Sequence, residues 1–330
     1  MKHTLLAATL VLAGCAALAP APRQHFDLQA HRGGRGLAPE NTLAAFDNAV
    51  DLGVSTLELD IGLTADGVVV VSHDTSLNPE HTRDARGAWL APKSGAAIRS
   101  LTLAQLQTYD VGRLDPASNY GKQFALQRPR DGERIPTLAS LFARVQARGA
   151  EAATVRFNIE TKIDPTKPDE TAAPEAMVRA LLGEIDKAGM GPRVTVQSFD
   201  WRTLALVGQL APQLPRAYLT TARTLKDSRW TAGLDAGSFA SVPQMVKAAS
   251  AGSTAAVTWS PAHADLTPAA IKEAHRLGLT VLPWTVNQRA DMQRLMDWGA
   301  DGIITDYPDM LRDLMRERGL SLPPPGKNTP

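Results

Sequence analysis

The sequence predicts a (β/α)8 TIM barrel with a long insertion after its second strand and hairpin, and three observations carry that reading. Strand-like and helix-like periodicities alternate from residue 26 to residue 318. Eight segments read as strands, at 26–30, 54–60, 153–162, 193–198, 215–220, 255–259, 280–285 and 302–305. Polar residues that carry chemistry gather at the carboxyl ends of those strands, where such a barrel keeps its reactive groups: His31-Arg32, Glu58 and Asp60, Glu160 and Lys162, Gln197, Asn287 and Asp306.

Composition sets the bounds. With 330 residues, 44% of them hydrophobic, the chain is long enough for one large core. A formal net charge of +1, with no run of like charges, argues against a nucleic-acid partner. A single cysteine excludes an internal disulfide and a cysteine-based metal site. That cysteine ends the run Leu12-Ala13-Gly14-Cys15, which follows Lys2, His3 and an apolar stretch over 5–13. The run resembles the lipobox of bacterial lipoproteins, which implies cleavage before Cys15 and a lipid on its sulfur. Each buried lipid methylene adds ~0.8 kcal/mol of membrane affinity. The reading divides the chain into a signal peptide (1–14), a tether (15–24), a barrel (25–318, with the insertion at about 78–136) and a disordered tail (319–330). It places the protein in the bacterial cell envelope, exported and anchored to a membrane, periplasmic in a Gram-negative cell. Oligomeric state is left open.

The first strand ends on His31 and Arg32. Glycines then turn the backbone, and Asn41 or Thr42 caps a helix that begins at 43. In the second strand Glu58 and Asp60 share one face, and Leu57 and Leu59 the other. Two adjacent carboxylates repel unless a cation lies between them. Asp66-Gly67 between β-branched runs predicts a hairpin with a two-residue type I′ loop. Ala65 then faces Val68, and Asp60 lies across from His73. The insertion, with one short helix at 103–109, reads as a cap over the mouth of the barrel. Helices are expected at 43–50, 137–148, 201–210, 242–249, 268–277, 289–298 and 309–318. In the strand at 153–162, Asn158, Glu160 and Lys162 share a face, with Arg156 deeper on the same face and unexplained.

Three carboxylates without thiolates suit one hard divalent cation, Ca²⁺ or Mg²⁺. Together these pieces closely resemble the glycerophosphodiester phosphodiesterase family. The matching segments are His31-Arg-Gly with Pro39-Glu40-Asn41-Thr42, Glu58-Leu-Asp60, and Thr64-Ala-Asp66-Gly67 leading to His73-Asp74. Ile135-Pro-Thr-Leu138, Asn158-Ile-Glu160-Thr-Lys162, Trp284-Thr-Val-Asn287 and Gly302-Ile-Ile-Thr305-Asp306-Tyr-Pro308 follow in order. The resemblance implies a divalent ion on Glu58, Asp60 and Glu160, with His31 and His73 as general acid and base. It also implies hydrolysis of a glycerophosphodiester to sn-glycerol 3-phosphate and an alcohol. Arg32 and Lys162 then offset the growing phosphoryl charge, and Trp284 lines the substrate or fills the core. Glu40 and Asn41 adjoin the site, although capping alone accounts for Asn41. His81 and His263 are weaker candidates, and His275 is structural. Two alternatives stand beside this reading: a lysophospholipase D-type enzyme at the membrane, and a non-catalytic envelope lipoprotein that binds phosphodiesters. The second has no need of two histidines beside three metal-type carboxylates.

Overall fold

The computed structural model describes residues 25–326, so the signal-peptide, tether and Cys15 readings lie outside the described residues. In chain order the strands are β1 (Asp27–Ala30), β2 (Thr56–Leu63), β3 (Val69–Val71), β4 (Arg156–Thr161), β5 (Val194–Ser198), β6 (Arg216–Thr220), β7 (Val257–Pro261), β8 (Thr280–Val281) and β9 (Gly302–Thr305). Eight of them run parallel in the order β8–β7–β6–β5–β4–β2–β1–β9, and β3 pairs antiparallel with β2 alone. The ring closes between β8 and β9 through an irregular stretch. Asp301 N donates to Val281 O, Ile304 N to Pro283 O and Val286 N to Ile304 O, each at 3.0 Å. The sequence expects a strand over 280–285. Only Thr280–Val281 is regular, because Pro283 has no N–H to give the ladder.

The helices are α1 (Leu43–Leu52), α2 (Leu103–Leu106), α3 (Asn119–Gln123), α4 (Leu138–Ala147), α5 (Pro174–Lys187), α6 (Trp201–Leu210), α7 (Val242–Ala249), α8 (Pro268–Arg276), α9 (Arg289–Asp297) and α10 (Pro308–Glu317). Thr42, Thr137, Asp200, Ser241 and Thr267 accept first-turn N–H groups, which fixes where five of them start. The sequence reading does not single out α5. Its N-cap, Ala173, has no side chain to announce it.

Alternation along the strands separates two environments. Leu57, Leu59, Phe157 and Ile159 point outward under the helices and are wholly buried, each burial contributing ~2 kcal/mol. Phe142 of α4 meets Phe157 edge-on with ring centroids 5.1 Å apart, and Trp201 of α6 meets Tyr218 likewise at 5.1 Å. The inward residues of β1, β2, β4 and β5 are instead polar: Gln29, Glu58, Asn158 and Gln197. β2 pairs with β4 from Thr56↔Arg156 to Ile61↔Thr161, which sets Asp60 beside Glu160 and Glu58 beside Asn158.

Two expectations need correction. The hairpin loop has three residues. Thr64 N donates to Val68 O (3.0 Å), Gly67 N donates to Thr64 O (3.1 Å), and Gly67 sits at φ +78°. A type I′ turn requires positive φ at both central residues, and Asp66 does not have it. The register therefore shifts by one. Ser72, not His73, lies across from Asp60, donating its N–H to Asp60 O at 2.9 Å. The second correction concerns the tail. Residues 320–326 run back over the barrel: Leu320 N donates to Met315 O (3.0 Å), Arg312 Nη1 to Pro323 O (2.8 Å) and Gly326 N to Asp51 O (3.2 Å).

The insertion shares a second, small core with the hairpin: Val70 of β3 and Leu77 pack with Ile98, Leu106, Val111 and Ile135. Of the helix expected at 103–109, only Leu103–Leu106 forms, opened by a Thr102/Gln105 capping box. The insertion rests on the loop after β1, where Arg128 N donates to Leu37 O (2.9 Å) and Gln127 Nε2 to Arg35 O (2.7 Å).

Candidate active site

The loop after β1 is built around unusual backbone. Arg32 adopts φ +52° and Asn41 φ +55°, left-handed values that side-chain-bearing residues rarely take. The strain has visible partners. Arg32 N donates to Glu58 Oε2 at 2.8 Å, and its guanidinium reaches Glu40 (2.8 Å) and Asp60 (3.5 Å). Asn41 Nδ2 donates to Asp60 Oδ2 at 3.0 Å. Capping therefore falls to Thr42, and Asn41 serves the site.

Glu58, Asp60 and Glu160 are each at least nine-tenths buried, and one oxygen from each lies within 4.8 Å of the others. Gln197 Nε2 holds Glu58 Oε1 at 2.6 Å, and Lys162 Nζ holds Glu160 Oε1 at 2.8 Å. Asp60 Oδ1 is buried with no hydrogen-bond partner. Burial raises the pKa of Glu58 well above the carboxylate range, with the nearby Asp60 charge adding to it. Burial likewise pushes Glu160 up to about 7, with Asp60 adding to it and Lys162 opposing. Burial works on Asp60 too, but His73, Lys162 and Arg32 outweigh it and hold that carboxyl low. Crowded buried carboxylates with an orphaned oxygen are what a hard divalent cation needs, so the donor set fits one.

Two histidine–aspartate pairs flank the carboxylates. His31 Nδ1 lies 2.6 Å from Asp306 Oδ1, and Asp306 also accepts from Arg35 Nε (2.8 Å) and Asn287 Nδ2 (2.6 Å). His73 Nδ1 lies 2.9 Å from Asp74 Oδ1, and Asn78 Nδ2 donates to Asp74 Oδ2 at 2.8 Å. His31 and Arg35 hold Asp306 below the usual range against the effect of burial, and His73 and His81 do the same for Asp74. Ionised carboxylates only accept, so each imidazole carries its proton on Nδ1 and leaves Nε2 free. Burial lowers His31 to about 4 against the pull of Asp306, and burial also lowers His73, with Arg32 and Lys162 acting the same way. Both imidazoles are therefore neutral near pH 7.

An open cavity of about 470 Å³ takes in His31, His73, Glu58, Glu160, Arg32 and Lys162. Phe199, Leu219 and Trp284 complete it from the other half of the ring. Phe199 meets Trp284 edge-on at 5.3 Å, and Trp284 Nε1 donates to Ser260 O at 2.9 Å. A chain of amides links this cavity to the bottom of the barrel. Gln197 Nε2 donates to Glu58, Asn158 Nδ2 to Gln197 Oε1 and Gln29 Oε1 (both 2.9 Å), and Gln29 Nε2 to Asp27 (2.9 Å). Arg156, unexplained from the sequence, ends that chain 3.1 Å from Asp27.

The model of the glycerophosphoryl diester phosphodiesterase family matches residues 31–310. The chain belongs to that family. It is 31% identical over 291 residues to a Bacillus subtilis glycerophosphodiester phosphodiesterase, covering 87% of this chain and 85% of the relative. A crystal structure of a candidate glycerophosphoryl diester phosphodiesterase from Silicibacter pomeroyi superposes with a TM-score of 0.81 at 37% identity, covering 91% of this chain and 97% of that one. A glycerophosphodiester phosphodiesterase from Thermotoga maritima shares the fold at 21% identity (TM-score 0.59; 88% of this chain, 99% of that one). The enzyme thus has the barrel expected of its family. Glu58, Asp60, Glu160, His31, His73, Arg32, Lys162 and Trp284 converge on one region. His263 does not line this cavity, and His275 pairs with Asp301 on the outside (2.9 Å). The sequence reading has no role for Arg35, Asp74, Asp306 or Tyr120. Tyr120 comes from the insertion: its hydroxyl donates to Glu40 and accepts from Arg35 Nη1 (3.0 Å). Asp306 and Asn287 do stand out at strand ends, but nothing in the sequence joins them to His31.

Proposed function

We propose that this enzyme hydrolyses glycerophosphodiesters to sn-glycerol 3-phosphate and an alcohol, with a Ca²⁺ or Mg²⁺ ion held by Glu58, Asp60 and Glu160. The observation that carries this reading is the buried carboxylate triad flanked by two histidine–aspartate pairs, each with a free Nε2. When bound, the cation supplies Lewis-acid stabilisation of phosphoryl oxygens. Arg32 and Lys162 bind and orient the phosphodiester and offset charge as it grows. One imidazole, neutral, takes a proton from the attacking water at Nε2. The other, which must first bind a second proton at Nε2 under the pull of its aspartate and the bound phosphodiester anion, gives that proton to the departing alkoxide. Asp306 and Asp74 hold the required tautomers and stabilise each imidazole while it is charged. Trp284, with Phe199, packs against the organic part of the substrate.

Choline release from glycerophosphocholine tests the reading. Exhaustive chelation should abolish it, and Ca²⁺ or Mg²⁺ should restore it. Full turnover after chelation would overturn the metal assignment, and no turnover with any divalent ion would overturn the reaction. Glu58→Ala, Asp60→Ala and Glu160→Ala should each weaken metal binding. The same proposal places the enzyme in the envelope on a lipid at Cys15, so Cys15→Ala should release it from membranes.

A further inference from the structure

Arg128, Arg130 and Arg134 set the cap apart from the rest of the surface. Among the described residues they are the arginines whose side chains make no hydrogen bond, ion pair or ring contact. Elsewhere, even well-exposed arginines are paired: Arg86 with Asp84 (2.9 Å), Arg179 with Glu175 (2.8 Å), Arg229 with Asp227 (2.6 Å). All three unpaired ones fall within seven residues of the insertion and are exposed, and the exposed Lys122 lies just before them. The two carboxylates of the same stretch are engaged. Asp131 takes Arg83 (2.6 Å) and Arg113 (2.7 Å), and Glu133 accepts from Ala44 N (3.4 Å). Amid this charge stands Leu126, 85% exposed. The other exposed large apolar side chain among the described residues, Leu210, reaches 42%. Beside it an open groove of about 650 Å³ runs past Leu114, Pro116, Phe124 and Pro129.

We propose that the 122–134 stretch of the cap is a docking surface for a bilayer containing anionic phospholipid, with Leu126 inserted among the head groups and the three arginines on their phosphates. The chemistry favours a lipid surface over a protein partner. A single exposed leucine, followed within eight residues by three exposed, unpaired guanidinium groups, offers little apolar area for a protein to bury. At a bilayer it reaches the acyl boundary while unpaired arginines bind phosphates bidentately. The placement is also suitable. Gln127 and Arg128 bond to the loop after β1, and the Arg35 guanidinium, which lines the active-site cavity, lies 5.0 Å from the Phe124 ring. Docking would therefore set the rim of the cavity beside the membrane. The proposal does not depend on the reaction assigned above.

The test is co-sedimentation of the full chain with vesicles of phosphatidylcholine alone and of phosphatidylcholine with about a third phosphatidylglycerol. Residues before 25 contribute alike to every variant, so ratios between variants isolate the patch. The wild type should prefer the anionic vesicles, and salt should weaken the preference. Each arginine removed should cost about five-fold, so the triple variant Arg128→Gln, Arg130→Gln, Arg134→Gln should bind anionic vesicles about a hundred-fold more weakly. Leu126→Ser should weaken binding to the same vesicles. Hydrolysis of soluble glycerophosphocholine should be unchanged in both variants. Equal binding of wild type and triple variant would overturn the proposal. So would capture of the wild type by soluble heparin with no preference for anionic vesicles.

Discussion

His73 shows how a residue reaches its place by a route the sequence does not disclose. The two-residue loop expected from Asp66-Gly67 pairs it with Asp60, whereas the actual pairing is Asp60 with Ser72. His73 then lies beyond the end of β3, where Asp74 fixes its Nδ1 and the ring joins the cavity with His31, Glu58 and Glu160. Loss of a proton-transfer group costs ~10²–10⁴ in rate, so His73→Ala should lower kcat by that order and leave metal affinity nearly intact. Near-normal kcat would remove His73 from the reaction. Asp306→Asn tests the other pair. An amide can hold His31 in the wrong tautomer and cannot stabilise its cation, so kcat should fall by ~10²–10⁴ with metal binding unchanged. Gln197→Leu should behave oppositely. It frees Glu58 Oε1 from its 2.6 Å donor and should weaken metal affinity ~10–100-fold, read by calorimetry.

At the scale of the element, strand ends and helix faces are legible in the sequence because both follow from local periodicity. Trp201–Leu210, Val242–Ala249 and Gly302–Thr305 appear with the bounds that spacing alone suggests. What is not legible depends on pairing across the chain. The Asp60–Glu160 neighbourhood is set by the β2–β4 register, and the His31–Asp306 bond joins residues 275 apart. Arg156 reads as an unexplained cation until Asp27 is placed under it. The hairpin fails for a narrower reason. Asp-Gly serves both a two-residue I′ loop and a three-residue loop with glycine in the left-handed region, and only the sign of φ at Asp66 separates them. Gly67 at φ +78° meets no neighbouring atom within 4 Å where a Cβ would stand, so Gly67→Ala isolates backbone strain. It should destabilise the fold by ~1–2 kcal/mol, seen as a lower Tm, with kcat little changed.

The whole molecule couples its stability to pH through the carboxylates that the proposed cation would join. For an acid whose folded pKa is raised, the folded state binds more protons between the unfolded and folded values. Its contribution to stability therefore falls as pH rises through that window. For Glu160 the window runs from the ordinary 4.5 to about 7, and Glu58 is displaced in the same direction. His31 and His73, lowered by burial, act with the opposite sign, and a dication beside them would lower them further, adding to the protons displaced on binding. A cation bound by ionised carboxylates removes the repulsion that raised them and must displace their protons to bind. Metal affinity should accordingly rise from about pH 5 to about pH 8, and the gap in Tm between metal-loaded and metal-free enzyme should widen over the same range. Calorimetry in buffers of different ionisation enthalpy should find protons released on binding at about pH 6 and fewer near pH 8. Glu160→Gln should release one proton fewer. Affinity flat across that range, with no proton release, would mean that these three carboxylates do not hold the ion.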